Sequence, residues 1–179
     1  MCSPNERRGS PPFNRIRTPH DRIRRERILA GAATGLPRED IRRVIYHIVP
    51  EQEFRTALEG PAFVPAALAR DGFVHCSFEG SVIAVANDYF AGVPGRLLLL
   101  ELTPEKLSSE TRHESPAPLP TGGSAHLAQA ALFPHVYGPI DRVAITRVGV
   151  LRRTATGFEW PSSFTSLDSF LAADPPARP

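Results

Sequence analysis

Three histidines stand in short motifs of a kind that chemistry uses. His47 lies in Ile45-Tyr46-His47-Ile48, His75 in Gly72-Phe73-Val74-His75-Cys76-Ser77, and His135 in Phe133-Pro134-His135-Val136-Tyr137-Gly138-Pro139. The first two place an imidazole inside a strand-like apolar run, where an unpaired polar group is costly, so each needs a partner or a task. Imidazole changes charge near neutral pH and can move protons, orient oxygens or ligate a metal. The spacing points to a polar cleft built on a sheet, and by itself fixes no reaction.

The neighbours of these histidines narrow the options. His47 alternates with Ile45 and Ile48, with Tyr46 on the opposite face; the alternative for His47 is a core histidine bonded to a backbone carbonyl. Phe73 shares the face of His75, while Val74 and Cys76 take the other; Ser77 returns to the His75 side. His75 and Ser77 could therefore line one pocket wall, and Ser77 could also cap the following helix. Cys76 beside His75 suggests a nucleophile, but adjacent strand residues point to opposite faces, and cysteine is a common buried hydrophobe. Cys76 is expected to be structural. Glu114 follows Arg112 and His113 at a strand end. In a cleft it could bind a ribose hydroxyl, act as a base or stabilise a developing cation; outside one it would be solvated. His135 and Tyr137 fall in a proline-bounded loop and share a side if that loop is extended. The alternative there is a rigid turn anchored by Tyr137. Asn87, a poor helix former in mid-helix, is expected to hydrogen-bond a neighbouring loop.

The elements that must position these residues alternate without a regular βαβ rhythm. A strand is expected over Arg43–Val49, a helix over Glu51–Glu59 stopped by Gly60, and a turn with a short helix over Pro61–Arg70. Asp71-Gly72 marks a turn, and Phe73–Cys76 reads as a strand. A helix from about Phe78 to Ala91 carries Val82, Val85, Ala86, Tyr89 and Phe90 at helical spacing. Leu97–Leu102 is apolar enough for a central strand buried on both faces. Thr103-Pro104-Glu105 resembles a cap with proline at the first helical position. Thr111–Glu114 is a short strand, 115–125 a Pro/Gly/Ser-rich loop, and His126–Leu132 a helical turn. Arg142–Leu151 is a strand with Val143, Ile145 and Val148 inward; Phe158–Trp160 pairs after a turn at Gly157; Phe164–Ala172 is a final amphipathic helix. This mixture favours an α+β domain with a mostly antiparallel sheet. No Walker lysine motif and no strand-linked Gly-x-Gly-x-x-Gly is present, so no standard nucleotide fingerprint is either.

Composition bounds the rest. The 179 residues suit one domain over 44–173, preceded by a basic, disordered extension at 1–43 and followed by a frayed tail at 174–179. Residues 1–43 hold eleven arginines against five acids, whereas the remainder is net acidic, so the overall charge of +2 hides an asymmetry and the basic pI describes the extension more than the domain. A basic arm of this kind can bind nucleic acid, or simply be solvated. No apolar run approaches the roughly 18 residues that span a bilayer, and no membrane partner is expected. Two cysteines without a Cys-x-x-Cys pair suggest a reduced, cytoplasmic protein without a zinc ribbon.

Taken together, the motifs resemble the bacterial DUF952 family of uncharacterised domains. The residues that carry the likeness are Ile45–Val49, Gly72–Ser77, Val85–Phe90, Leu97–Leu100, His113-Glu114 and Phe133–Pro139, spanning roughly 44–151 in order. That family is distantly similar to the ADP-ribosyltransferase fold, including the RNA 2′-phosphotransferases. The resemblance implies a split, curved, mostly antiparallel sheet with short flanking helices and an NAD cleft between its halves. It implies His47, next to Tyr46, on a ribose hydroxyl, with His75 orienting ribose or phosphate oxygens and Ser77 supporting the cleft. Glu114 would stand beside a ribosyl cation, and His135 and Tyr137 would close the pocket. The expected ligand is a small nucleotide, with NAD as co-substrate and no resident cofactor assigned. Two alternatives stay open: a non-catalytic nucleotide or small-ligand module, and a metal-dependent enzyme using His47, His75, His135 and Glu114.

Overall fold

A computed structural model describes residues 43–115 and 132–173. The basic extension except Arg43, the loop beyond Ser115, the turn expected at His126–Leu132 except its last residue, and the tail at 174–179 lie outside the described residues.

The centre of the molecule is the leucine run. Strand β5 (Leu97–Leu102) is buried at all six positions and pairs antiparallel with β1 (Ile45–Pro50) on one side and β9 (Ile145–Thr154) on the other. The far edge of β9 receives β10 (Gly157–Glu159) and β11 (Phe164–Ser166). The two faces of this sheet bury separate cores. Leu98, Leu100 and Leu102 join Ile45, Val49 and Phe54 on one face; Leu97 and Leu99 join Tyr46, Ile48, Val82 and Ala86 on the other. Full burial of each leucine contributes roughly 1.5–3 kcal/mol, which makes β5 the main apolar anchor.

Helices α1 (Glu51–Ala57) and α4 (Leu167–Ala172) supply Phe54, Leu167 and Phe170 to the first face, and α3 (Glu79–Phe90) supplies Val82 and Ala86 to the second. Two small antiparallel sheets complete the fold. One orders β2 (Leu58–Glu59), β3 (Ala62–Phe63) and β8 (Ile140–Asp141). The other orders β4 (Val74–His75), β7 (Phe133–Tyr137) and β6 (Glu110–Glu114). Helix α2 (Ala66–Asp71) ends at Gly72, whose φ of 82° is the left-handed conformation a helix stop uses and glycine adopts without strain. The molecule is thus α+β, with antiparallel sheets and short helices.

Several expectations need correction. The helix begun at Glu51 ends at Ala57, because Leu58 and Glu59 turn into a strand against β3. The segment after Pro61 forms β3 before its helix. Val143 is not inward: Arg142–Ala144 is a 3₁₀ turn that leaves it 70% exposed, and the strand starts at Ile145. Tyr89 is exposed although it sits at helical spacing with Val82 and Ala86. The last helix starts at Leu167, where the Ser166 hydroxyl accepts from Ser169 N–H; Phe164–Ser166 pair with β9 instead. Thr103 and Ser77 make no side-chain cap, and the residue at the α3 N-cap is Phe78. His135 and Tyr137 stand on a strand, not in a loop. Ile48 shares the face of Tyr46, opposite His47.

Candidate functional site

The site lies where two sheets part. Strands β1 and β4 run side by side, but only Tyr46 and Ser77 complete a backbone bridge, exchanging N–H···O bonds of 2.9 and 2.8 Å. Antiparallel pairing alternates direction along a strand, so Ile48 presents its N–H and C=O to the same edge as Tyr46. Those two groups meet no backbone partner among the described residues. Cys76 N–H bonds Pro134 O, so the carbonyl of His75 turns the other way, toward β1. There it accepts a hydrogen bond of 2.8 Å from Nδ1 of His47. An imidazole thus stands where the ladder would have continued.

This contact fixes the state of His47. Its Nδ1 carries the hydrogen, and burial lowers its pKa from the ordinary value to about 4 despite the favourable carbonyl contact and the nearby Glu53. The ring is therefore neutral at physiological pH, with an acceptor lone pair on Nε2. That nitrogen is the one buried side-chain N or O atom without a hydrogen-bond partner among the described residues. Leaving such a group unsatisfied costs about 1–3 kcal/mol. His47 lines a cleft of about 200 Å³, together with Tyr46, His75, Ser77, Glu53 and Arg70.

His75 belongs to two neighbourhoods. Its half-exposed side chain lines the cleft, with Nε2 3.3 Å from Oδ2 of Asp71. Its ring also meets Phe73 and His135 edge-on, at centroid separations of 4.7 and 5.1 Å. Burial and the neighbouring His135 hold its pKa below the ordinary histidine value, against the opposing pull of Asp71.

Behind His75 lies a second polar network. His135, opposite His75 on β7, is buried and stacks on Phe73 at 4.2 Å. Its Nδ1 is 2.8 Å from Oε2 of Glu114, and the Tyr137 hydroxyl donates to that same oxygen at 2.8 Å. The His135 and Tyr137 bonds hold the Glu114 carboxyl below its usual pKa; the Glu114 bond in turn raises the Tyr137 phenol. Arg112 lies over the Tyr137 ring at 4.2 Å.

The structure therefore brings Tyr46, His47, His75 and Ser77 to one cleft and places Glu114, His135 and Tyr137 outside its lining, in a network that meets His75 through His135. Cys76 is buried, and burial raises its thiol far above the ordinary value, as a structural cysteine requires. No three His, Cys, Asp or Glu side chains among the described residues are grouped to hold a metal ion; His47 and His135 each commit a ring nitrogen elsewhere. No helix among them is long and apolar enough to cross a membrane. In the sequence Asp71-Gly72 reads first as a turn signal, and the four-residue spacing of Asp71 from His75 is the sign there of their contact.

An antiparallel α+β domain with a histidine-lined opening at a split between sheets is the class these features define. The family model described as "Protein of unknown function (DUF952)" matches residues 48–148, and the chain belongs to that family. Protein CC0527 from Caulobacter crescentus is similar in structure: its crystal structure matches with a TM-score of 0.51 at 28% identity, over 73% of this chain and 99% of that one. A double mutant of CC0527 matches with a TM-score of 0.50 at 27% identity, with the same coverage. No protein with a curated description matches.

Proposed function

We propose that this DUF952 protein binds the ribosyl part of NAD, or of a related nucleotide, in the β1–β4 cleft and acts there as an ADP-ribosyl or related transferase. The observation that carries the proposal is Nε2 of His47: a buried, neutral and unpartnered acceptor on a residue that lines the cleft. A ribose hydroxyl is a donor of the complementary kind, and its bond would remove the penalty of an orphaned polar group. One residue further, the N–H and C=O of Ile48 match the donor and acceptor pair of a carboxamide such as that of nicotinamide. The cleft volume of about 200 Å³ is below the roughly 300–1,000 Å³ typical of drug-sized ligands, so it suits a ribose with its base-sided substituent rather than a whole dinucleotide. The split antiparallel sheet also agrees with the resemblance to the ADP-ribosyltransferase fold.

A second reading, a nucleotide-binding module without turnover, is favoured by Glu114. That carboxylate is tied to His135 and Tyr137 and does not line the cleft. Calorimetric titration with NAD and ADP-ribose tests the shared premise. Binding at millimolar ligand or tighter is expected, weakened on the order of fivefold to tenfold in His47→Ala, as loss of one hydrogen bond predicts. No heat at millimolar ligand, or unchanged binding in His47→Ala, overturns it. Release of nicotinamide from bound NAD separates the transferase from the module.

A further inference from the structure

We propose that His75 is the general base of this transfer, taking the proton of the acceptor hydroxyl or water at Nδ1, with Asp71 and His135 as its positioning residues; the inference rests on the NAD reading above. The geometry has three parts. First, His75 lines the cleft while its own carbonyl fixes His47, so the group that would hold ribose and the group that would take the proton belong to one hydrogen-bonded unit. Second, the Asp71 carboxylate faces Nε2 at 3.3 Å. An ionised carboxylate only accepts, so Nε2 carries the hydrogen and Nδ1 keeps its lone pair. No hydrogen bond among the described residues engages Nδ1. Third, the ring is held from behind by Phe73 and by His135, which is itself anchored on Glu114.

The step balances without a further reactant. The acceptor oxygen forms a bond to C1′ as the bond from C1′ to the nicotinamide nitrogen breaks. The pair of electrons from that bond stays on the nitrogen and discharges the pyridinium. The acceptor proton passes to Nδ1 of His75 and then to solvent.

The charged and titratable groups around His75 are Asp71 and Arg70 from α2, His135 from β7 and His47 from β1. Burial, His135 and Arg70 favour the neutral ring, whereas Asp71 favours the imidazolium. Nicotinamide release from NAD is measured from pH 5 to 9, alongside calorimetric NAD binding, for the full chain and its His75→Gln and Asp71→Asn variants. His75→Gln should lower release on the order of a hundredfold and erase the acid limb of the profile, with NAD affinity changed only a few-fold. Asp71→Asn, at a partly exposed position outside the stacked rings, should move that limb to lower pH. Binding and turnover with the limb unchanged in both variants overturn the role of His75, as does NAD binding without nicotinamide release by the unaltered protein. Failure of NAD to bind at all overturns the underlying reading instead.

Discussion

Nδ1 of His47 donates to the backbone carbonyl of His75 across 2.8 Å, and this single bond takes the place of a strand ladder between β1 and β4. It sets the tautomer of one histidine through the peptide plane of another.

Because His47 is buried neutral, folding should depend on pH with a definite sign. The unfolded chain takes up this proton near pH 6.5 and the folded chain only near pH 4, so the unfolded state binds more protons in between. The contribution of His47 is complete above pH 6.5 and falls by about 3 kcal/mol as the pH drops to 4. Denaturant melts across this range should show the loss for the unaltered chain and a smaller one for His47→Gln. A matching slope in both would refute the assignment.

The thiol of Cys76 should be inert in the folded protein. In a Cys2→Ser background, an aromatic disulfide reagent at pH 8 should leave Cys76 unmodified until denaturant is added. Rapid modification of the native protein would contradict its burial.

Glu101 places a carboxylate inside the central strand, and Arg147 with Thr146 makes it tolerable. Burial alone would raise its pKa, but bonds from Arg147, at 2.8 Å from Nε, and from Thr146, at 3.0 Å, outweigh it and hold the pKa below the ordinary value. Arg147→Ala should cost about 1–3 kcal/mol, the lower half being expected because the guanidinium is half-exposed. The loss should shrink as the pH falls through the carboxyl pKa, since a protonated Glu101 no longer needs the cation. Chemical denaturation at pH 7 and pH 3 measures both, and a pH-independent cost would refute the pairing.

Gly149 on β9 has no room for a side chain. A Cβ there would lie 2.8 Å from two carbons of Pro161 and 2.9 Å from the Phe164 ring, so Gly149→Ala should displace the β10–β11 connection. A loss of about 1–3 kcal/mol is expected from such overpacking, read from the thermal midpoint. Unchanged stability would show that the contact yields freely.

The sequence made the long elements legible and the convergence only partly so. Leu97–Leu102 and Ile45–Pro50 declare themselves through unbroken apolar or β-branched runs, and Asn87 does bond a neighbouring segment, accepting from Phe158 N–H at 2.8 Å. The two-residue strands β2, β3 and β8 carry no periodicity to read, whereas β4 lies within the apolar run Phe73–Cys76. Pro134 disguised β7 as a loop; in the fold it loses one ladder bond at the end of β4 yet still accepts from Cys76 N–H. The pairing of His135 with Glu114 depends on strand register, and that of His75 with Asp71 on the Gly72 turn. Spacing along the chain gives no sign of the first and only the four-residue step from Asp71 to His75 for the second.

One consequence of the shared peptide at residue 75 concerns how the opening would answer to an occupant. The His75 carbonyl holds His47 while the His75 ring lines the opening, so any shift of the backbone at residue 75 would move both contact points. Two contact points 28 residues apart in the chain are thereby hung from one peptide unit.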